Sequence, residues 1–129
     1  MQAQVRQQTR YPVDGKVVLT LTPEKAARFT VKVRIPGWAR GEENPFGLYV
    51  SESPAAPVLS VNGTPVEIRL DKGYALLDRV WNPADRIVLE LPVAPRLVRA
   101  HKAARELDGM ATLAAGPLVY CIEQADDAG

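Results

Sequence analysis

Cys121, His101 and a scatter of carboxylates are the side chains that could attack a substrate, move a proton or hold a metal. A cysteine nucleophile needs a base or a cation beside it to lower its pKa. Cys121 stands instead in the apolar run Leu118-Val119-Tyr120-Cys121-Ile122, a setting that predicts a small, buried core thiol. His101 falls in the basic stretch Arg96-Leu97-Val98-Arg99-Ala100-His101-Lys102, read as a strand end running into an exposed connector, and nothing in the spacing couples it to Cys121. Structural zinc requires four sulfur or imidazole ligands, and the chain owns one of each. Asp14, Asp71, Asp78 and Asp85 offer oxygens for calcium, yet none lies in a run with the alternate spacing of a calcium loop, and aspartates in β-turns ordinarily serve the turn. Glycoside chemistry by paired carboxylates needs two of them about 5–10 Å apart. The candidates Glu42, Glu43, Asp78 and Glu90 each read as a solvated charge on a loop or an outward strand face. No catalytic set, no metal site and no cofactor are therefore expected in this chain.

Aromatic rings offer a different chemistry, because a sugar stacks its C–H face on an exposed indole or phenol. Trp38, Phe46, Tyr49 and Trp81 are the candidates for contact with carbohydrate or with a neighbouring domain, and Tyr74 is a further ring of the same kind. The competing reading is that Trp38 and Trp81 close the two ends of a core, their indole donors satisfied inside. Only 6% of the residues are aromatic and no cluster of rings is evident, which favours core or domain interface over a glycan platform.

These side chains must be held by strands, since period-two alternation dominates. Phe29, Val31, Val33 and Ile35 fall on one face of a strand, with Thr30, Lys32 and Arg34 on the other. Val17, Leu19 and Leu21 alternate in the same way, as do Ile87, Leu89 and Leu91. Asp14-Gly15, Asn62-Gly63 and Lys72-Gly73 supply residues that tolerate positive φ, and Asn62-Gly63 is a strong hairpin signal. Asn82-Pro83-Ala84-Asp85 makes a further turn. Most of the eleven prolines stand at the ends of β-like runs, and Pro65 marks an edge strand. Strands are expected at 5–11, 16–22, 28–35, 48–50, 59–62, 66–70, 74–80, 87–91, 96–100, 110–114 and 118–123. Residues 41–57 read as a long proline-rich loop with a short strand inside, and 23–27 and 101–107 as connectors with at most a turn of helix. The expected fold is all-β, an antiparallel β-sandwich of jelly-roll-like or immunoglobulin-like type, forming one domain over residues 1–129 with flexible ends at 1–4 and 124–129.

Composition agrees with one soluble core. The chain has 129 residues, 47% of them hydrophobic, and carries 16 basic against 15 acidic side chains for a net charge of +1. That balance offers no sustained field for nucleic acid or an anionic membrane, and no apolar run approaches the ~20 residues of a membrane span. A single cysteine excludes an internal disulfide and leaves the compartment open.

Five segments, in order, resemble the β region of glycoside hydrolase family 127, the β-L-arabinofuranosidase-like proteins. They are Thr9 to Gly15, Phe29 to Ala39 with its Ile35-Pro36-Gly37-Trp38, Val61-Asn62-Gly63-Thr64-Pro65-Val66, Gly73-Tyr74 with Asp78-Arg79-Val80-Trp81, and Gly116-Pro117-Leu118-Val119-Tyr120-Cys121-Ile122-Glu123. The resemblance implies a parent enzyme whose helical barrel holds a cysteine nucleophile, a zinc site and a glutamate acid/base, followed by β-sandwich domains. None of those catalytic motifs has a match among these residues, so no catalytic or zinc-binding role is transferred, to Cys121 least of all. The implied function is that of a noncatalytic accessory β-sandwich, excised from a larger enzyme. Its implied partners are the helical catalytic domain and a further β domain of the same polypeptide; the alternative is a carbohydrate-binding module holding a glycan through exposed aromatics. As a domain cut from a larger enzyme, it is expected to expose an apolar patch near Trp38, Phe46 and Leu48, joined by Tyr49.

Overall fold

A computed structural model describes residues 1–44, 46–52 and 55–121. Among these residues, twelve strands form three antiparallel sheets, with two short 3₁₀ turns at Gly37–Arg40 and Arg105–Leu107. The first sheet has the order β1-β2-β9-β5-β6, from β1 (Ala3–Thr9), β2 (Lys16–Pro23), β9 (Asp85–Glu90), β5 (Val58–Val61) and β6 (Thr64–Pro65). The second is β3-β8-β7, from β3 (Ala27–Arg34), β8 (Tyr74–Trp81) and β7 (Leu70–Asp71). These two layers share the core. Leu21, Leu59, Val61, Ile87 and Leu89 enter it from one side, Val33, Ala75, Leu77 and Trp81 from the other, and Ile35, Ala39 and Leu91 close it. The alternation of β3 decides its register: Val33 is buried while Lys32 and Arg34 are exposed.

Turn chemistry sets the pairing. Asn62 and Gly63 take φ of 50° and 80°, and Lys72 and Gly73 take 48° and 83°, the double-positive geometry of two-residue hairpins joining β5 to β6 and β7 to β8. Pro65 lies in β6, the outermost strand of its sheet. The turn at Asn82–Asp85 does not close a hairpin; it carries the chain from β8 in one layer to β9 in the other. Asp85 stabilises it by accepting from the Asn82 backbone N–H at 2.8 Å and from Asn62 Nδ2 at 2.8 Å. Gly15 has no positive φ. It is glycine because the backbone of Leu91 lies against it: a Cβ there would sit 1.9 Å from the Leu91 carbonyl oxygen, whose own N–H donates to Gly15 O at 2.9 Å.

The third sheet departs from a simple two-layer sandwich. Its order is β12-β11-β10-β4, from β12 (Leu118–Tyr120), β11 (Thr112–Ala115), β10 (Pro95–Ala100) and β4 (Tyr49–Ser51). Pro92 and Pro95 bracket the passage out of β9, and prolines deprive that stretch of ladder donors, so the chain leaves the sandwich there. The strand expected at 48–50 joins this sheet as β4, opposite β10. The strand expected at 66–70 does not form over 66–69: β6 ends at Pro65 before it, and only Leu70 of the expected run lies in a strand, β7. At the N-terminus, Ala3 and Gln4 pair with Pro23 and Thr22, so β1 begins inside the stretch expected to be flexible. The expected flexible end at 124–129 lies outside the described residues. No helix among the described residues is long and apolar enough to cross a membrane.

Candidate functional site

Among the described residues, the side chains with reactive potential do not converge. Cys121 is exposed, contrary to the buried core thiol expected of its apolar run, because it follows the edge strand β12 of a sheet whose outer face no described residue covers. His101 follows β10, which is two strand spacings from β12, about 9–10 Å, too far for a nucleophile and its base to share a proton. Asp78 is ion-paired with Arg28 at 2.9 Å on the exposed side of the second sheet. Hydrogen bonding from Arg28 holds its carboxyl below the ordinary carboxylate range. Asp85 is also held low, chiefly by the Asn82 backbone N–H. A glycosidase acid needs a carboxyl shifted upward, whereas these two and Glu43 all shift downward. Among the described residues, no group of three or more histidine, cysteine or carboxylate side chains is placed to hold a metal.

Glu43 is not the solvated loop charge that its surroundings in sequence suggest. Its carboxylate lies almost buried against Arg96 of β10, with 10% and 6% of the two side chains exposed. Arg96 Nε donates to Oε1 at 2.6 Å and Nη2 to Oε2 at 3.0 Å, the two-pronged match of guanidinium to carboxylate. Nη1 donates to the Gly116 carbonyl at 2.8 Å, in the turn between β11 and β12. Ser51 Oγ of β4 donates to Glu43 Oε1 at 2.6 Å, and the Trp38 ring lies 5.7 Å from the guanidinium carbon. The hydrogen bonds from Arg96 depress the Glu43 pKa. This cluster fastens the third sheet to the sandwich: Trp38 and Glu43 come from the segment before β4, Ser51 from β4, Arg96 and Gly116 from the sheet itself. The alternation of β10 carries a weak signal for it, since an arginine falls where the inward register demands a core residue; its carboxylate partner, 53 positions away, carries none.

The four candidate aromatics separate. Trp81 is fully buried, its Nε1 donating to the Phe29 carbonyl at 3.0 Å and its ring 6.2 Å from that of Phe29. It is a core residue and not a contact for sugar or another domain, because no face of the ring reaches the surface. Trp38 is half-buried against Arg96 and the core, with an indole N–H that finds no acceptor among the described residues. Phe46 and Tyr49 are exposed, at 83% and 48%, and Leu48 is exposed beside them.

A larger apolar surface was not anticipated. In the third sheet, register places Leu97, Leu113 and Tyr120 side by side across three strands, with Pro95, Ala115 and Leu118 in the row below and Arg99 beside Val50 above. Arg96 and Ala114, on the opposite face, are buried toward the sandwich. The outer face is open: Leu97, Leu113, Leu118 and Tyr120 are each about 40–50% exposed. Sheets bury at least one face, and polar residues ordinarily occupy a face left to water. Here the outward set is apolar apart from Arg99 at its upper edge. Alternation in β10 and β11 could have shown it, but short strands with apolar residues on both faces do not reveal which face is covered.

A two-layer sandwich, with a third sheet clamped to it and an apolar outer face, defines the β region. The chain belongs to glycoside hydrolase family 127. Residues 1–93 match the family's β-L-arabinofuranosidase middle domain, and residues 95–129 its C-terminal domain. The chain is 36% identical over 130 residues to a non-reducing end β-L-arabinofuranosidase of Bifidobacterium longum subsp. longum, a match covering 97% of this chain and 17% of that protein. It is similar in structure to a family 127 β-arabinofuranosidase, with TM-score 0.84 and 36% identity over 95% of this chain and 19% of that one. A second solved structure, the family 127 β-L-arabinofuranosidase of Geobacillus stearothermophilus T6, gives 0.80 and 35% over 95% of this chain and 17% of the other. The chain thus spans about a fifth or less of the length of these relatives. The two matched segments meet just before β10, so β4, from the middle-domain segment, is built into the sheet of the C-terminal segment, and the Glu43–Arg96 pair spans the two.

Proposed function

We propose that this chain is a noncatalytic accessory β region of a glycoside hydrolase acting on β-L-arabinofuranosides, and that it packs on the remainder of its parent, including a helical catalytic domain. The observation that carries this reading is the apolar outer face of the third sheet, rowed with Leu97, Leu113 and Tyr120 and open to water. Such a face costs solubility unless another layer covers it. The downward shifts of Asp78, Asp85 and Glu43 support the noncatalytic half of the reading, since they keep these carboxyls ionised where a glycosidase acid must hold its proton. A second reading, glycan binding by this chain itself, draws on Phe46 and Tyr49, whose rings stand exposed on the 41–57 segment.

Hydrolysis of an aryl β-L-arabinofuranoside by the purified chain, followed together with binding of arabinose oligosaccharides, separates these readings. The accessory reading expects neither turnover nor binding. Turnover abolished by one carboxylate substitution would overturn it, and saturable binding lost in Phe46→Ala/Tyr49→Ala would establish the glycan-binding module in its place.

A further inference from the structure

The apolar face does not end at the sheet. Val50 and Arg99, opposed in the β4–β10 register, also line a cleft of about 410 Å³ formed with the turn that follows β10. Leu107 and Met110 give this cleft apolar walls, while Arg99, His101, Lys102 and Arg105 surround it against a single lining carboxylate, Asp108. Arg99, Lys102 and Arg105 take part in none of the ion pairs formed among the described residues. The chain as a whole carries a net charge of only +1, so this is a local excess of cations at one end of an apolar strip.

From this juxtaposition we propose that the face and cleft together receive one protein surface of the same parent polypeptide, apolar along the Leu97–Leu113–Tyr120 row and bearing carboxylates where it meets Arg99, Lys102 and Arg105. The proposal rests on the accessory reading and adds the chemistry of the occupant. A second copy of this chain would match the apolar row but not the cations, because the outward set of the third sheet contains no acidic residue and the cleft lining offers only Asp108 against Arg99, Lys102 and Arg105. Relatives five to six times as long have ample polypeptide to supply the covering layer. Apolar burial would provide the affinity, and the charges would set orientation and exclude partners of like sign.

Two fluorescent probe peptides of equal length and identical apolar residues, one carrying glutamates and the other lysines, test the proposal on the 129-residue chain. The glutamate peptide is expected to bind at least tenfold more tightly than the lysine peptide, with an affinity that falls as salt rises. Arg99→Glu/Lys102→Glu/Arg105→Glu should reverse that preference. Those positions are exposed, so the variant is expected to fold, and a circular dichroism melt confirms that it has. Equal binding of both peptides, lost in Leu97→Asp/Leu113→Asp, would overturn the charge component and leave the accessory reading intact. Absence of binding by either peptide, together with no uptake of an apolar dye, would overturn both.

Discussion

Replacing Arg96 by methionine tests whether the third sheet is fastened to the sandwich by the buried ion pair. Methionine fills much of the arginine stem but leaves the Glu43 carboxylate, only 10% exposed, without the two guanidinium donors at 2.6 and 3.0 Å, with Ser51 Oγ still donating to it. The Gly116 carbonyl loses its donor at 2.8 Å, and Trp38 loses the cation beside its ring. Breaking one side of a buried pair costs about 3–5 kcal/mol. Against the 5–15 kcal/mol that stabilises an ordinary domain, that is a large share. Urea unfolding at neutral pH should therefore shift its midpoint sharply downward in Arg96→Met. Arg96→Met/Glu43→Leu, which removes both charges, should recover most of the loss, because the uncompensated carboxylate is gone. The pH dependence follows from the same pair. Glu43 has a folded pKa below its ordinary value, so its contribution is complete above that ordinary value and is lost as the pH falls through the depressed folded one. Wild type and Glu43→Gln should thus converge in stability on acidification. A cost for Arg96→Met under about 1 kcal/mol, within the range of exposed ion pairs, would refute the clamp.

Two further substitutions probe the sandwich itself. Val33→Asp buries an unpaired carboxylate between the layers and should cost several kcal/mol in urea unfolding, whereas Lys32→Asp on the water side should cost little; equal losses would mean that the β3 register is wrong by one residue. Gly15→Ala forces a Cβ to within 1.9 Å of the Leu91 carbonyl and should lower the thermal midpoint by several degrees, while Gly47→Ala, with open space around it, should pay only for its positive φ.

The sandwich was legible because alternation and turn chemistry act locally. Phe29 to Ile35 announces its buried face, and Asn62-Gly63 and Lys72-Gly73 fix two hairpins with no knowledge of the rest of the chain. The third sheet was harder to read. Its strands are short, β4 arrives from inside a loop more than forty residues before β10, and pairing across that distance leaves no mark on either segment. The same distance hid Glu43, whose neighbours Glu42 and Asn44 make it look solvated until Arg96 is folded against it. Cys121 was misjudged through the same gap: its apolar neighbours are those of a core strand, but the layer that would cover them is not among the described residues. Of the aromatic candidates, Phe46 and Tyr49 are exposed and Trp81 is core, a distinction that depends on where the fold places each ring and not on residue type.

The central claim is that the outer face of the third sheet is covered by the rest of a larger enzyme. Hydroxyl-radical footprinting of this chain alone, and of the same residues within the proposed longer polypeptide, measures that directly. Leu97, Leu113 and Tyr120 should oxidise readily in the isolated chain and be protected at least severalfold in the longer one, while Val5, exposed on β1, serves as a reference. Equal oxidation of the Leu97–Leu113–Tyr120 row in the two contexts would contradict the account.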